Sequence, residues 1–251
     1  MNHGKLMNKL IDYGVPDLIV RLVNYWYNNQ NVNVRYMSCY SQMWTIGNGV
    51  RQGGILSSLF FNTYIDSFIS SISKINVGCK LGILNSNIIA YADDLVLLAP
   101  SMKSLQHLIN EVVKQGLLLD LTFNLKKTKC MIFRSGRRTT TGAPISNFLI
   151  DNRPIEFVDV FKYLGYIITS DLNDDTDICR VRSKFYSEFN SMYRNFNFAD
   201  SKVKVFLFKQ YCLQMYGSEL WCDNLYSAHS FKQFEVGYHK SIKKNVELII
   251  S

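Results

Sequence analysis

The sequence lacks the features that mark a membrane protein, a disulfide scaffold or a zinc module. Its apolar runs are too short to span a bilayer, and no targeting signal is visible. Its six cysteines show no paired spacing, which indicates reduced thiols in the nucleus or cytoplasm. Cys222, His229 and His239 lie near one another, but their spacing fits no standard zinc module. With no internal repeat and no long low-complexity segment, the chain is expected to be globular and intracellular, with no membrane partner.

The sequence is rich in apolar residues and in positive charge. Of its 251 residues, 47% are apolar, which is enough for a sizeable core. The formal net charge of +8 favours an anionic partner, and nucleic acid is the obvious one, although a solubilising surface is the alternative. The basic residues form two clusters, which are Lys126, Lys127, Lys129, Arg134, Arg137 and Arg138 in the first and Lys240, Lys243 and Lys244 in the second.

Two adjacent carboxylates, Asp93 and Asp94, lie at the centre of a twelve-residue apolar stretch, residues 88–99. Charged side chains oppose burial, so this pattern predicts two short strands joined by a tight turn with both aspartates at its tip. Two carboxylates held together at a sheet edge repel unless a cation lies between them, and Mg²⁺ favours oxygen ligands of this kind. The alternative is a polar hairpin turn without chemistry.

Three further blocks accompany the aspartates. Residues 49–57 (GVRQGGILS) combine three glycines with Arg51 and Gln52, which can meet phosphates or base edges, just before a predicted helix. Downstream lie residues 124–129 (NLKKTK) and residues 161–165 (FKYLG). In this order and spacing, the blocks resemble the reverse transcriptase of non-LTR, LINE-like retrotransposons, and the resemblance covers nearly the whole chain.

The resemblance implies an α+β fold. A partial polymerase palm, with an antiparallel sheet and packed helices, is expected over residues 1–170, and an all-helical thumb-like region over residues 171–251. The implied activity is RNA-directed DNA synthesis by two-metal nucleotidyl transfer with Mg²⁺. The implied partners are an RNA template, a DNA primer and deoxynucleoside triphosphates.

The resemblance also implies a role for individual residues. Asp93 and Asp94 correspond to the catalytic, metal-binding pair. The glycine-rich loop corresponds to the segment that contacts template and incoming nucleotide, and Lys127 to a lysine near the triphosphate. A hairpin that contains Tyr163 and Gly165 corresponds to the support of the primer terminus. The expected substrate and template contacts are therefore Arg51, Gln52, Gly53, Lys127, Tyr163 and Gly165.

The chain departs from the family pattern in two ways. Ser58 stands where the family usually has proline and Asp120 where glycine is common, which puts local loop shape in doubt. The second departure is a missing group. The family has a third carboxylate, on a neighbouring strand, that bridges the two metal ions, and this chain shows no counterpart to it. Asp12 and Asp17 are the nearest candidates, but both are predicted to lie at helix ends.

We therefore expect an amino-terminally truncated polymerase, inactive or severely impaired as given, without the segment that carries the bridging aspartate and the fingers. A non-catalytic nucleic-acid-binding remnant is the alternative. A globular protein without nucleic-acid function is a third possibility, which the ordered blocks disfavour.

The carboxyl-terminal third contains a second acidic cluster, residues 171–175 (DLNDD). Its place in a linker and its lack of apolar flanks favour a solvated turn and helix start over a metal site. Helices are predicted after it, at roughly residues 176–196, 201–222 and 228–249. Earlier in the chain, helical spacing predicts a buried helix over residues 54–72 and another over residues 102–118, capped by Ser101.

Overall fold

The structure, a computed structural model, describes residues 1–133, 147–222 and 225–250. Helices and short strands are mixed along the chain, which confirms the α+β class. The α-helices are α1 (His3–Asp12), α2 (Asp17–Asn28), α3 (Ser57–Ser73), α4 (Met102–Leu118), α5 (Asp175–Phe196), α6 (Ser201–Leu207) and α7 (Ala228–Ile250). The π-helical turn Phe208–Cys212 continues α6, and a 3₁₀ turn covers Ser218–Leu220. In the first basic cluster, Arg134, Arg137 and Arg138 lie outside the described residues.

The strands are two to four residues long. They are β1 (Asn31–Val32), β2 (Arg35–Tyr36), β3 (Cys39–Tyr40), β4 (Trp44–Thr45), β5 (Lys80–Leu81), β6 (Leu84–Asn85), β7 (Ile88–Tyr91), β8 (Asp94–Leu97), β9 (Lys129–Cys130), β10 (Leu149–Ile150), β11 (Arg153–Pro154), β12 (Glu156–Phe157), β13 (Val160–Tyr163) and β14 (Tyr166–Thr169). Within the described residues they pair into seven two-stranded sheets. Six pairs are antiparallel, whereas β12 pairs with β9 in parallel, so the antiparallel pattern expected of a palm does not extend to the strand that begins at Lys129.

Contacts divide the described chain into two units. The first contains residues 1–128 and 147–155, and the second contains residues 129–133, 156–222 and 225–250. The assignment of residues 1–170 and 171–251 to separate domains stays a prediction. Over the described part of the chain, no helix has both the length and the apolar character needed to cross a membrane.

Local signals set the first helices of unit 1. The Asn2 side chain caps α1 by accepting a hydrogen bond from the Lys5 N–H at 3.1 Å. Gly14, with φ +74°, follows the end of α1, and Pro16 directly precedes α2. The apolar faces of α1, α2 and α3 meet in one buried cluster formed by Leu6, Met7, Leu10, Val20, Val23, Tyr27, Phe60, Tyr64 and Ile65.

The second cluster of unit 1 lies between α3 and α4. Helix α4 has the predicted bounds, and the Ser101 hydroxyl caps it by accepting a hydrogen bond from the Ser104 N–H at 3.2 Å. Its buried residues pack against the carboxyl-terminal half of α3. The buried members are Phe68, Ile72, Leu108 and Val112.

Unit 2 is built around α5, which presents one apolar stripe to the helices that follow it. The core residues of the unit are Ile178, Val181, Phe185, Phe189, Met192, Phe208, Cys212 and Phe234. The predicted helix over residues 201–222 is wrong in its second half, because the continuous helix ends at Cys212 and the short 3₁₀ turn Ser218–Leu220 is separate from it. Gly217 has φ +89°, a left-handed conformation that a continuing right-handed helix excludes.

Candidate active site

The adjacent aspartates lie at the end of the β7–β8 hairpin, as predicted. The strands pair from Ile88 opposite Leu97 to Tyr91 opposite Asp94, which leaves Ala92 and Asp93 as the two turn residues. Asp93 is therefore in the turn itself, and Asp94 is the first residue of β8. The prediction of a tight hairpin is confirmed, with one aspartate in the turn and the other at the first pair of the ladder.

Both aspartates are exposed, and neither side chain has a hydrogen bond or ion pair with any other described residue. Two unneutralised carboxylates on successive residues form an oxygen-rich, negative site that fits a hard divalent cation such as Mg²⁺. Within the part of the chain that the structure describes, no group of three or more His, Cys, Asp or Glu side chains is placed to hold a metal ion. The donor set at this turn is therefore a carboxylate pair.

Ala92 adopts φ +51°, which few residues other than glycine adopt. Two-residue hairpin loops favour positive φ because it matches the twist of the paired strands. Such a conformation costs a non-glycine residue about 1–3 kcal/mol and persists only where the surroundings impose it. The four register pairs of the hairpin provide that constraint, and they hold Asp93 and Asp94 in a defined turn.

One face of the hairpin packs on helices α3 and α4. Ile88, Leu95 and Leu97 contact the cluster that contains Phe68 and Leu108. The apolar residues that flank the aspartates in sequence thus attach the strands to the core, while the turn remains in solvent.

Asn87, which the sequence analysis did not identify, fixes the start of β7. Its side chain is fully buried and its Nδ2 atom donates to the carbonyl oxygens of Ile72, Ile75 and Val77 at 2.9, 3.1 and 3.1 Å. These carbonyls lie in and after the last turn of α3, where helix carbonyls lack intrahelical donors. Asn87 therefore links the end of α3 to β7, the first strand of the hairpin that carries Asp93 and Asp94.

The glycine-rich loop ends in a tight turn that leads into α3. The Ser57 hydroxyl donates to the Arg51 carbonyl at 2.5 Å, and the Gly54 N–H donates to the same carbonyl at 3.1 Å. A Cβ at Gly54 would lie 2.5 Å from the Ser57 hydroxyl oxygen, which explains the glycine there. Gln52 and Gly53 form the tip of this turn, and the side chains of Arg51 and Gln52 are exposed.

The start of the same loop is fixed on α1. The His3 ring, which is buried, places Nε2 3.0 Å from the Gly49 carbonyl oxygen, and the Gly49 N–H donates to the Met1 carbonyl at 2.8 Å. No described hydrogen bond or ion pair joins this loop to the turn at Asp93, so the predicted proximity of the two stays a prediction.

The third block forms a turn organised by Asn124. Its Oδ1 atom accepts hydrogen bonds from the Lys126 and Lys127 N–H groups at 3.1 and 3.3 Å, and its carbonyl accepts from the Thr128 N–H and hydroxyl, both at 2.9 Å. This is the local hydrogen-bonding pattern by which asparagine stabilises turns. The exposed Lys127 ammonium group has no ion-pair partner among the described residues. The turn thus presents a cation to solvent.

Tyr163 and Gly165 lie in a second hairpin, in unit 2. Strands β13 and β14 pair from Val160 opposite Thr169 to Tyr163 opposite Tyr166, which confirms the predicted hairpin. The two turn residues, Leu164 and Gly165, both have positive φ, +46° and +88°.

The acidic segment is a helix start, as predicted, but it is not fully solvated. Asp175 begins α5, whereas Asp174 and Asp177 are buried. The prediction missed this burial because two partners of these carboxylates, Trp221 and Cys222, lie 44 and 48 residues away in sequence. Asp174 accepts hydrogen bonds from the Tyr166 hydroxyl at 2.5 Å and from the Cys222 N–H at 3.1 Å.

Comparison with known proteins places these features in context. A family model described as reverse transcriptase (RNA-dependent DNA polymerase) matches residues 1–168. The chain is 26% identical over 174 residues to the retrovirus-related Pol polyprotein from type-2 retrotransposable element R2DM of Drosophila melanogaster, which covers 68% of this chain and 16% of that protein. It is 25% identical over 180 residues to the Pol polyprotein from type-1 retrotransposable element R2 of Nasonia vitripennis, covering 68% and 17%.

A third relative is a transposon-derived protein of Caenorhabditis elegans. It is 31% identical over 139 residues, which is 53% of this chain and 48% of that protein. The chain thus matches 16–17% of the length of the two insect polyproteins and about half of the nematode protein.

Proposed function

The chain belongs to the reverse transcriptase family and carries a reverse transcriptase domain of the non-LTR retrotransposon type, and we propose on this basis that it holds part of an active site for RNA-directed DNA synthesis. The observation that carries the proposal is the β7–β8 hairpin, which presents Asp93 and Asp94 exposed and without a described cationic partner. The substrates would be a primer 3′ hydroxyl and a deoxynucleoside triphosphate, directed by an RNA template.

Asp93 and Asp94 are the residues that would hold Mg²⁺. When bound, divalent ions at such a site lower the pKa of the attacking hydroxyl and stabilise the leaving pyrophosphate. The protein contributes a turn whose shape is fixed by its strands, so the carboxylates need little rearrangement when an ion arrives.

Other described residues would position the substrates. Lys127 would offset the negative charge of the triphosphate, since its ammonium group is exposed and unpaired among the described residues. Arg51, Gln52 and Gly53 would contact template and nucleotide from a turn where glycine permits close backbone approach. In unit 2, the turn that follows Tyr163 would support the primer terminus.

We further propose that residues 1–251 alone are inactive or severely impaired. Two-metal transfer uses a bridging carboxylate in addition to such a pair. The candidates Asp12 and Asp17 lie at the last position of α1 and the first position of α2, not on a strand beside the hairpin. Asp17 is also paired with Arg21 at 2.7 Å. Loss of such a ligand should slow the reaction by on the order of a thousandfold or more.

A second candidate function is nucleic-acid binding without catalysis. The net charge of +8 favours it, because neutralisation of phosphates by Lys and Arg gives affinity without any reacting group. This function predicts strongly salt-dependent RNA or DNA binding that does not respond to substitution of Asp93.

Primer extension on an RNA template tests the proposal. The purified chain should not extend an annealed primer with Mg²⁺ or Mn²⁺, yet it should bind the primer–template, and binding of divalent metal should require Asp93. Asp151→Asn is a matched control, because Asp151 also lies in an exposed two-residue hairpin turn with φ +49°. Robust extension that Asp93→Asn abolishes would contradict the proposed incompleteness. Nucleic-acid binding with no metal binding at Asp93 would favour the second function.

A further inference from the structure

The turn of the β13–β14 hairpin has a backbone shape that few sequences adopt. Leu164 and Gly165 both have positive φ, and for leucine this conformation is strained. A strained turn keeps its shape only where neighbouring groups hold it.

Two glycines and two tyrosines hold this turn in a reciprocal contact. A Cβ on Gly165 would lie 3.0 Å from the Tyr216 ring, and a Cβ on Gly217 would lie 3.1 Å from the Tyr166 ring. Gly165 therefore leaves space for the ring of Tyr216, the neighbour of Gly217. Gly217 in turn leaves space for the ring of Tyr166, the neighbour of Gly165. The segment at residues 216–217 thus covers the hairpin at its turn, and any larger residue at position 165 would displace it.

A buried carboxylate links the two segments that meet there. Asp177 is fully buried and accepts hydrogen bonds from the Ile167 N–H at 3.0 Å and from Trp221 Nε1 at 3.0 Å. It also accepts two from Arg180, whose Nε and Nη2 atoms lie 2.6 and 3.1 Å from its oxygens. Arg180 in turn donates from Nη2 to the Tyr216 carbonyl at 3.2 Å.

Among the partners of Asp177, Ile167 belongs to β14. Trp221 and Arg180 connect the carboxylate to the segment at residues 216–217 that covers the turn. Burial alone raises the pKa of Asp177, but the hydrogen bonds from Arg180, Trp221 and Ile167 outweigh it and lower that pKa below its usual value. Asp177 is therefore an anion at neutral pH, which keeps all four hydrogen bonds in their stronger, charge-assisted form.

We propose that Asp177 is a positioning residue that fixes the Leu164–Gly165 turn for contact with the primer terminus, acting through Ile167 and through Arg180 and Tyr216. This inference rests on the proposed function, in which the turn supports the primer end. It adds a residue on α5, outside the polymerase motifs, that determines where this turn is placed.

Two measurements on residues 1–251 test it. The first is hydrogen–deuterium exchange of the hairpin amides without nucleic acid. The second is photocrosslinking to a primer that carries 4-thiothymidine at its 3′ end, annealed to an RNA template. Asp177→Asn is the test variant. Asp175→Asn is the matched control, because Asp175 lies two residues away and bonds Ser227 rather than the hairpin.

In Asp177→Asn, hairpin amides should exchange roughly tenfold faster, since loss of a charged hydrogen bond shifts a local opening equilibrium by at least that factor. The crosslink to the hairpin should fall by a similar factor. Overall primer–template affinity should stay within about twofold, because phosphate contacts dominate it. Asp175→Asn should match the wild type in both measurements and in overall primer–template affinity.

Unchanged exchange at the hairpin in a folded Asp177→Asn protein would overturn the positioning role. A wild-type chain that gives no hairpin crosslink would instead contradict the proposed contact with the primer, while the exchange data still decide whether Asp177 holds the turn. If Asp177→Asn shows no cooperative unfolding transition, Tyr216→Ala takes its place. That variant removes the ring over Gly165 and leaves the carboxylate intact, and faster exchange with a weaker crosslink is again expected.

Discussion

Tyr91 and Asp94 face each other as the last pair of the β7–β8 hairpin, so that the turn consists of Ala92 and Asp93 alone. This pairing places two carboxylates on successive residues, one in the turn and one in the ladder. Because the flanking strands are packed on the core, the carboxylates are presented by a fixed support rather than by a loose loop.

Magnesium should bind the isolated chain weakly. The described site offers a pair of carboxylates, whereas Mg²⁺ usually relies on one or two carboxylates together with substrate phosphates. Titration calorimetry without nucleic acid should show no affinity tighter than about the millimolar range. A tight, stoichiometric site that disappears in Asp93→Ala would mean that a third ligand has been overlooked.

Under the second candidate function, in which basic residues hold nucleic acid, replacing Lys127 by alanine should weaken RNA binding and reduce its salt dependence. The exposed ammonium group contributes about one phosphate contact, so the slope of log K against log salt should fall by roughly 0.7–0.9. Lys114→Ala serves as the control, because Lys114 already pairs with Glu111 at 3.8 Å. Filter binding at several salt concentrations gives both slopes, and equal slopes for the two variants would refute the contact.

Four of the six cysteines should fall into two reactivity classes. Burial raises the pKa of the Cys130 and Cys212 thiols to about 11, so both are protonated and shielded at neutral pH. Cys39 and Cys222 are exposed. Iodoacetamide at pH 7.5 followed by peptide mass mapping should therefore label the exposed pair first. Early labelling of Cys212 would contradict the packing of unit 2.

Stability should fall in acid, with Asp177 contributing to the loss. Its pKa in the folded chain is below the unfolded value, so its contribution is complete above the unfolded pKa and disappears as the pH falls through the folded pKa, below about pH 4. Asp177→Asn should cost about 3 kcal/mol at pH 7, because it leaves Arg180 without its charge partner.

The same variant should show a shallower decline in stability below pH 4 than the wild type. Glu219→Gln, at an exposed position, is the control and should follow the wild-type curve. Urea unfolding from pH 3 to pH 7 measures both effects. Parallel curves for Asp177→Asn and the wild type would show that the carboxylate is not linked to folding.

Local patterns in the sequence were sufficient to predict the hairpin at Asp93 and helix α4, whereas the hairpin at Tyr163 and Gly165 was expected from the family resemblance. Apolar residues on both sides of a two-residue turn specify a hairpin, and Ser101 before a periodic apolar face specifies a capped helix. These signals act over a few residues, and the structure has them where they were predicted.

The long-range partners could not be predicted in this way. Asp177 bonds Trp221, which is 44 residues away, and Asn87 bonds carbonyls at the end of α3. The spacing of apolar residues along the sequence carries no information about such pairings. The sequence therefore predicts a solvated acidic segment. The helix predicted over residues 201–222 was wrong for a related reason, because Tyr216 and Gly217 pack on a hairpin instead of continuing a helical face.

Metal-directed cleavage of the chain tests most directly whether Asp93 and Asp94 bind a divalent ion. Fe²⁺ in place of Mg²⁺, with ascorbate and peroxide, cuts the backbone beside the bound ion. We expect cleavage close to Asp93 that excess Mg²⁺ suppresses, that Asp93→Asn or Asp94→Asn abolishes, and that Asp151→Asn leaves intact. Absence of cleavage near Asp93 in a folded wild-type chain, or cleavage that persists in Asp93→Asn, would contradict the assignment of these aspartates as the metal-binding pair.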